Sequence, residues 1–498
     1  MKIGVVKYWE VWKRQVWHWF VDNQPLMLLA FIPAYLFLFA AKGNAQSSAL
    51  PDSLLKLSPE EYLNLVRLHH PVAKQARLAV DASEAMLLAS RGLFDPALYF
   101  TNDRKTFDGK NYFNYQNAEL KIPTWYGVEI MAGLENNGGD NLTTEATRGQ
   151  SSYAGFKVPL AKNLLMDQRR AALATAKLLV NQTEAERLLA LNDLLFDAAA
   201  AYGQWVQAYQ LYQVFTNAVN INEQRYKAIR ITVEQGDRAG VDSTEALTQL
   251  LIFRAAQAEA WNNFVMTGYE LDNFLWTPEG QPYDLPSAVI PALSLDDINP
   301  ANFAFLPLPD LLAAANQAHP KLRSLGYKLD ALEVERQLKF QSLLPTLNLK
   351  YNALASGYEF WKGWNVTSMQ NNYKFGVELG MPLLLREGRG NYRAAKIKIS
   401  ATNLEIDNTR INIDNKVKQY YTDLTNQLQQ LRIVEEALKA YRKVFEVELM
   451  KFNMGESNIF LVNSRENKVL ETQQKLTELK GKFFKALYGV QWAAGVLR

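Results

Sequence analysis

Residues 382–396 read PLLLREGRGNYRAAK, and residues 159–177 read PLAKNLLMDQRRAALATAK. In each, an Arg-Ala-Ala triplet starts eleven residues after a proline, from Pro159 to Arg170 and from Pro382 to Arg393. A proline that stops a strand, followed by good helix formers, reads as a strand running into a helix. The same junction is written twice, 223 residues apart.

The likeness continues in both directions. HPVAKQARLAVDASEAMLLASRGLFDPALYF (70–100) is matched by HPKLRSLGYKLDALEVERQLKFQSLLPTLNL (319–349), with 25 residues from Pro71 to Pro96 and 25 from Pro320 to Pro345. Each segment reads as a helix running into an extended, alternating stretch. Downstream, each long helical segment is broken by a glycine, Gly236 in one copy and Gly455 in the other. The pattern predicts a tandem internal repeat of helix, strands, helix, turn and helix. The first repeat spans 46–276 and the second 310–498, joined by the proline-rich connector 277–309. Pro96, Pro159, Pro345 and Pro382 mark the strand–helix junctions. The copies differ by an insertion, since Pro96 to Pro159 spans 63 residues and Pro345 to Pro382 only 37. The surplus holds NYFNYQNAELKIPTWYGVEIMAG (111–133). Its pattern is compatible with a hairpin added to the sheet and with one folded outside it.

Composition narrows the function. The chain of 498 residues has no cysteine and only four histidines, His18, His69, His70 and His319. That leaves no disulfide framework, no thiolate nucleophile and no clustered metal ligands. There is no phosphate-binding glycine loop of the GxxxxGK[ST] kind. No catalytic, cofactor or metal site is therefore assigned, and an enzyme is not expected. Residues 1–45 carry a net charge of +3, the same as the whole chain, so the remainder is neutral. A neutral body argues against nucleic-acid binding, which rests on phosphate neutralisation. The basic start, the apolar run PLMLLAFIPAYLFLFAA (25–41) and the small residues Gly43 and Ala45 read as a signal peptide over 1–45.

Two kinds of element stand out. Residues 391–454 contain neither glycine nor proline, and 163–235 contain one glycine and no proline. Unbroken helices there would be about 100 Å long. Leu188, Leu191, Leu195, Ala198, Tyr202, Trp205, Tyr209 and Tyr212 step by threes and fours, as do Val417, Tyr421, Leu424, Leu428, Leu431, Val434, Leu438, Tyr441 and Phe445. Such narrow apolar seams suit coiled coils. The strands LNLKYNA (347–353), YKFGVELGMPL (373–383), YGVEIMAGLE (126–135) and AELKI (118–122) alternate apolar and polar residues, as a membrane barrel requires. Four to six strands per chain fall short of the roughly eight needed to close a barrel. An open sheet edge is not tolerated in lipid, so several chains must pool their strands. The polar stretches 134–150 and 355–372 are the candidate extracellular loops.

The combination over residues 55–490 resembles the TolC family of outer-membrane efflux proteins. It is carried by FDPALYF and LLPTLNL, by SYAGFKVPLAKN and FGVELGMPLLLREGRG, and by the two glycine turns. The resemblance implies a mixed α/β membrane protein: a homotrimeric channel with a pooled, 12-stranded barrel in the outer membrane. A long antiparallel α-helical barrel would project into the periplasm. It implies a periplasmic adaptor as partner, coupled to an inner-membrane pump or exporter. The tip turns that would meet the adaptor are Gly236, Asp237, Arg238 and Gly240 in one repeat and Gly455, Glu456 and Ser457 in the other. The resemblance places the periplasmic gate at Asp242, Leu461 and Ser464. Here the chain departs from the family, with Leu461 and Ser464 where gate aspartates are usual and Ser457 in place of the usual basic residue. The implied function is an exit duct of a tripartite efflux or type I secretion system. The alternative is a structural periplasmic coiled-coil spacer or adaptor, which would need no detergent for extraction.

Overall fold

The computed structural model describes residues 56–286, 288–295, 307–358 and 371–497. The expected signal peptide and most of the polar stretch 355–372 lie outside the described residues. Among the described residues no helix is long and apolar enough to cross a membrane.

Strand β1 is Lys56–Leu57, followed by α1 (Pro59–His69) and α2 (Pro71–Gly92). Four strands come next: β2 (Ala97–Phe107), β3 (Lys110–Pro123), β4 (Glu129–Gly138) and β5 (Gly149–Pro159). The long helix α3 (Gln168–Glu234) and α4 (Gly240–Asp272) form a hairpin, and β6 is Ile290–Pro291. Then follow α5 (Leu308–Ala318), α6 (Pro320–Gln341), β7 (Thr346–Ser356), β8 (Tyr373–Gly380), α7 (Arg386–Asn453) and α8 (Ile459–Ala493).

Local chemistry sets the helix starts. Ser58 accepts from the Glu61 backbone N–H while the Glu61 carboxylate accepts from the Ser58 N–H, a complete capping box with Pro59 at the first position. His70 and His319 cap α2 and α6 in the same way. Their Nδ1 atoms accept from the backbone N–H of Val72 at 3.2 Å and of Lys321 at 3.1 Å. Asp167 caps α3 by accepting from Arg170 N–H at 2.9 Å, and Asn458 caps α8 through Leu461 N–H at 2.9 Å. Helix α7 starts at Arg386, five residues before the glycine-free stretch that the sequence marks out. Gly388 is carried in its first turn because the helix crosses the α6–β7 loop there, where a Cβ would lie 2.9 Å from the Ser342 carbonyl.

The coiled-coil seams are buried as their spacing predicts. Val417, Leu424, Leu431 and Leu438, seven residues apart, form a core with Leu479 and Phe483 of α8. Tyr202, Trp205 and Leu195 of α3 pack with Tyr62 of α1, with Leu275 just after α4 and with Leu295 of the connector. Within the connector β6 pairs in parallel with β1, and the Tyr202 hydroxyl donates to the Leu57 carbonyl at 2.7 Å.

Six strands form one antiparallel sheet in the order β2-β3-β4-β5-β7-β8. The surplus hairpin β3–β4 is inside that sheet, paired with β2 on one side and β5 on the other. Each chain therefore brings six strands, where a 12-stranded trimeric barrel needs four. Residues 134–138, expected in a loop, extend β4 instead, because Asn114 to Ala118 supply partners for them.

Candidate functional site

Register decides what the sheet can do. Leu98, Leu120, Ala132, Ala154, Ala353 and Tyr373 are directly opposite one another across all six strands, so one row on one face is wholly apolar. A second row on that face is Ile122, Ile130, Phe156, Tyr351 and Phe375. Shifting by one residue reaches the other face, where Glu129, Lys157 and Lys350 are aligned, as are Asn117, Glu135, Ser151 and Ser356. This polar face lines a concave cleft. Its charges are of both signs, with Lys121 paired to Glu119 at 3.0 Å. After Ala97, β2 is exposed throughout, and so is β8. Both edges of the sheet are therefore open.

The junction prolines sit where sheet meets helices. Pro96 directly precedes β2 and Pro159 ends β5. The Pro345 carbonyl accepts from Lys162 N–H at 3.0 Å, and the neighbouring Leu160 N–H donates to Leu347 at 2.7 Å. The β5–α3 and α6–β7 connections are thereby knitted together. Pro382 lies exposed in the β8–α7 link, which ends at Leu385 with φ +50°.

At the opposite ends of the long helices, two turns of the same make close the hairpins. Gly236 has φ +84° and Gly455 φ +79°. Asp237 N–H donates to Thr232 at 3.0 Å and Glu456 N–H to Lys451 at 2.9 Å, each a six-to-one bond around a left-handed glycine. A small apolar core of Ile229, Ala246, Phe452, Ile459 and Val462 holds the two hairpins together behind the turns. Arg238 bridges them. Its guanidinium lies 4.0 Å from the Phe452 ring centre, donates to the Phe452 carbonyl at 3.2 Å, and faces the Asp242 carboxylate at 3.8 Å. Gly240 starts α4 and Asp242 is in its first turn. Ser457 instead donates a short hydrogen bond to Glu448 of its own hairpin, while Glu456, Leu461 and Ser464 are exposed.

A polar layer deeper in the tip was not anticipated from sequence. Glu466 of α8 takes two hydrogen bonds from Arg225 of α3, at 2.6 and 3.1 Å, and a third from Asn222 at 3.1 Å. Gln249 of α4 donates to Asn467 at 2.7 Å. No local signal marks it, because Asn222, Arg225 and Glu466 come together only where α3 packs on α8.

Residues 311–496 match the family model described as outer membrane efflux protein. A comparison with curated protein sequences returned no match. Among solved structures, the chain is similar to CusC, with TM-score 0.61 and 13% identity over 88% of this chain and 91% of that one. It is similar to the open state of the MtrE outer membrane channel of Neisseria gonorrhoeae, with TM-score 0.61 and 13% identity over 88% and 89%. It also resembles the CmeC outer membrane channel of Campylobacter jejuni, with TM-score 0.59 and 14% identity over 88% and 86%. Residues 311–496 are thus similar to the outer membrane efflux protein family, and the chain shares its fold with these three channels.

Proposed function

We propose that the protein is the exit duct of a tripartite efflux or type I secretion system. It is a passive conduit in the outer membrane, built from three copies and opened at its helical tip by a periplasmic adaptor coupled to an inner-membrane pump or exporter. The observation that carries this reading is the sheet: two wholly apolar rows across one face, charged and polar rows across the other, and both edges open. Lipid would cover the apolar face, water the polar one, and neighbouring copies the edges. The helices add support, because Ile397, Leu404 and Ile411 of α7 are spaced by seven and 59%, 71% and 59% exposed. A heptad seam left bare within one chain suits a partner helix. The two glycine turns with Arg238, Asp237, Gly240, Glu456 and Ser457 are the adaptor contact, and Asp242, Leu461 and Ser464 line the closed aperture. The two repeats supply matching pieces to one ring.

The test is the protein mass of the membrane-extracted, detergent-solubilised assembly, with conductance after reconstitution. A detergent-requiring trimer that conducts ions is expected. A monomer soluble without detergent overturns the reading in favour of a coiled-coil spacer.

A further inference from the structure

The order of helices where the sheet ends matches the order of strands, with one exception. Helix α2 leads into β2, β5 leads into α3, α6 leads into β7 and β8 leads into α7. Helix α2 packs on α3, α3 on α6 and α6 on α7. The sheet order β2, β5, β7, β8 is therefore the helix order α2, α3, α6, α7, except that β3 and β4 are interposed between β2 and β5 with no helix of their own. Four helices carry six strands.

Spacing explains how both rows close on one ring. Helices packed side by side are about 8–10 Å apart, so four span about 32–40 Å of circumference. Strands about 4.8 Å apart and tilted by about 35–45° each take up about 6–7 Å. Four such strands span about 23–27 Å and six about 35–41 Å, so only six match the four helices below them. The hairpin fills the shortfall.

Its helix-side turn is built into the junction. Trp125 stacks on Phe94 at the exit of α2, with ring centres 4.3 Å apart. Glu129 pairs with Arg169 in the first turn of α3 at 3.6 Å. Gly127, at φ +82°, lies so close beneath Arg170 that a Cβ would be 2.8 Å from the guanidinium. The turn is seated between the two helices whose strands the hairpin separates. Within the hairpin the apolar and polar rows run on unbroken, through Leu120 and Ala132 on one face and Asn117 and Glu135 on the other.

We infer that the β3–β4 hairpin is part of the channel wall, so that each chain contributes six strands. Resting on the proposed trimer, the barrel then has eighteen strands and is about 35 Å across between backbones, a width that leaves an aqueous channel. Because the six strands alternate in direction, β2 and β8 run oppositely. The β8 edge of one copy can then pair antiparallel with the β2 edge of the next, and the ring closes with no mismatched pair.

The chain has no cysteine, so single cysteines can be placed without background. Leu120→Cys, Ala132→Cys, Lys121→Cys and Glu135→Cys, each in the full-length protein in phosphatidylcholine liposomes, are labelled with an environment-sensitive thiol fluorophore. Phe100→Cys on β2 and Phe375→Cys on β8 serve as references for the apolar face. The expected result is quenching by nitroxide lipids at Leu120, Ala132, Phe100 and Phe375, and by aqueous iodide at Lys121 and Glu135. Lipid quenching at Phe100 and Phe375 with iodide quenching at all four hairpin sites puts the hairpin outside a narrower wall. That overturns the inference and leaves the channel standing. Absence of lipid quenching at Phe100 and Phe375 as well removes both.

Discussion

Arg225 and Glu466, separated by 240 intervening residues, meet at 2.6 Å with side chains only 10% and 7% exposed. They join the α3–α4 hairpin to α8 just behind the tip. Removing one partner of a buried pair leaves an uncompensated charge, which costs about 3–5 kcal/mol. Glu466→Ala is therefore expected to loosen the tip, seen as faster amide exchange over 459–476. The double replacement Arg225→Met with Glu466→Leu is expected to recover most of the loss, because an apolar pair of similar volume leaves no charge to solvate.

Asp242 faces Arg238 at 3.8 Å, with both side chains about a quarter exposed, and such pairs contribute about 0–1 kcal/mol. Asp242→Ala is expected to leave the thermal midpoint nearly unchanged. With three copies of this carboxylate near the axis of the proposed trimer, the same substitution is expected to abolish block of the closed pore by divalent cations. Planar-bilayer conductance with and without magnesium measures this, and unchanged sensitivity rejects the gate role of Asp242.

His319 is buried at the α5–α6 corner, and desolvation lowers its pKa to about 4, with Asp193 opposing that shift and Lys416 adding to it. Its Nδ1 must stay unprotonated to cap α6. The folded-state pKa is below the unfolded value near 6.5, so the unfolded chain binds the proton first as pH falls. The contribution is fully present above about pH 6.5 and is lost progressively down to about pH 4. His319→Asn, which retains a capping oxygen but does not titrate, is expected to flatten the fall in thermal midpoint between those values. The reading fails if the wild-type profile is unaltered.

Gly155 and Gly376 are both strand glycines, but with different surroundings. A Cβ at Gly155 would lie 2.1 Å from the Tyr351 carbonyl, whereas nothing is within 4 Å of one at Gly376. Gly155→Ala is expected to disrupt the β5–β7 pairing that joins the two halves of the sheet, and to lower the yield of the proposed trimer on native gels severalfold. Gly376→Ala is expected to leave it intact.

The long helices were legible because a 60-residue stretch without glycine or proline has few other options. Observed ends at Glu234 and Asn453 fall just before the glycines that the sequence marks. Strand faces were legible from alternation. Which strands pair was not, since alternation is local, whereas the sheet that takes in the hairpin is completed only where β5 meets β7, with Ser151 opposite Ser356. The Asn222–Arg225–Glu466 layer was hidden for the same reason. A lone glutamate on a helix reads as a solvated charge until the facing helix is known. His70 and His319 were readable as repeated structural residues, but their capping role depends on which nitrogen faces the backbone.

Only eight residues separate β5 from α3, and five separate β8 from α7. The α3 and α7 helices extend about 100 Å from those short links, so each acts as a lever pivoted at the membrane end. A rotation of about 5° at Pro159 or Pro382 would carry the Gly236 and Gly455 turns about 9 Å sideways over that length. Motion large enough to open the proposed aperture at the tip thus requires almost no rearrangement in the sheet.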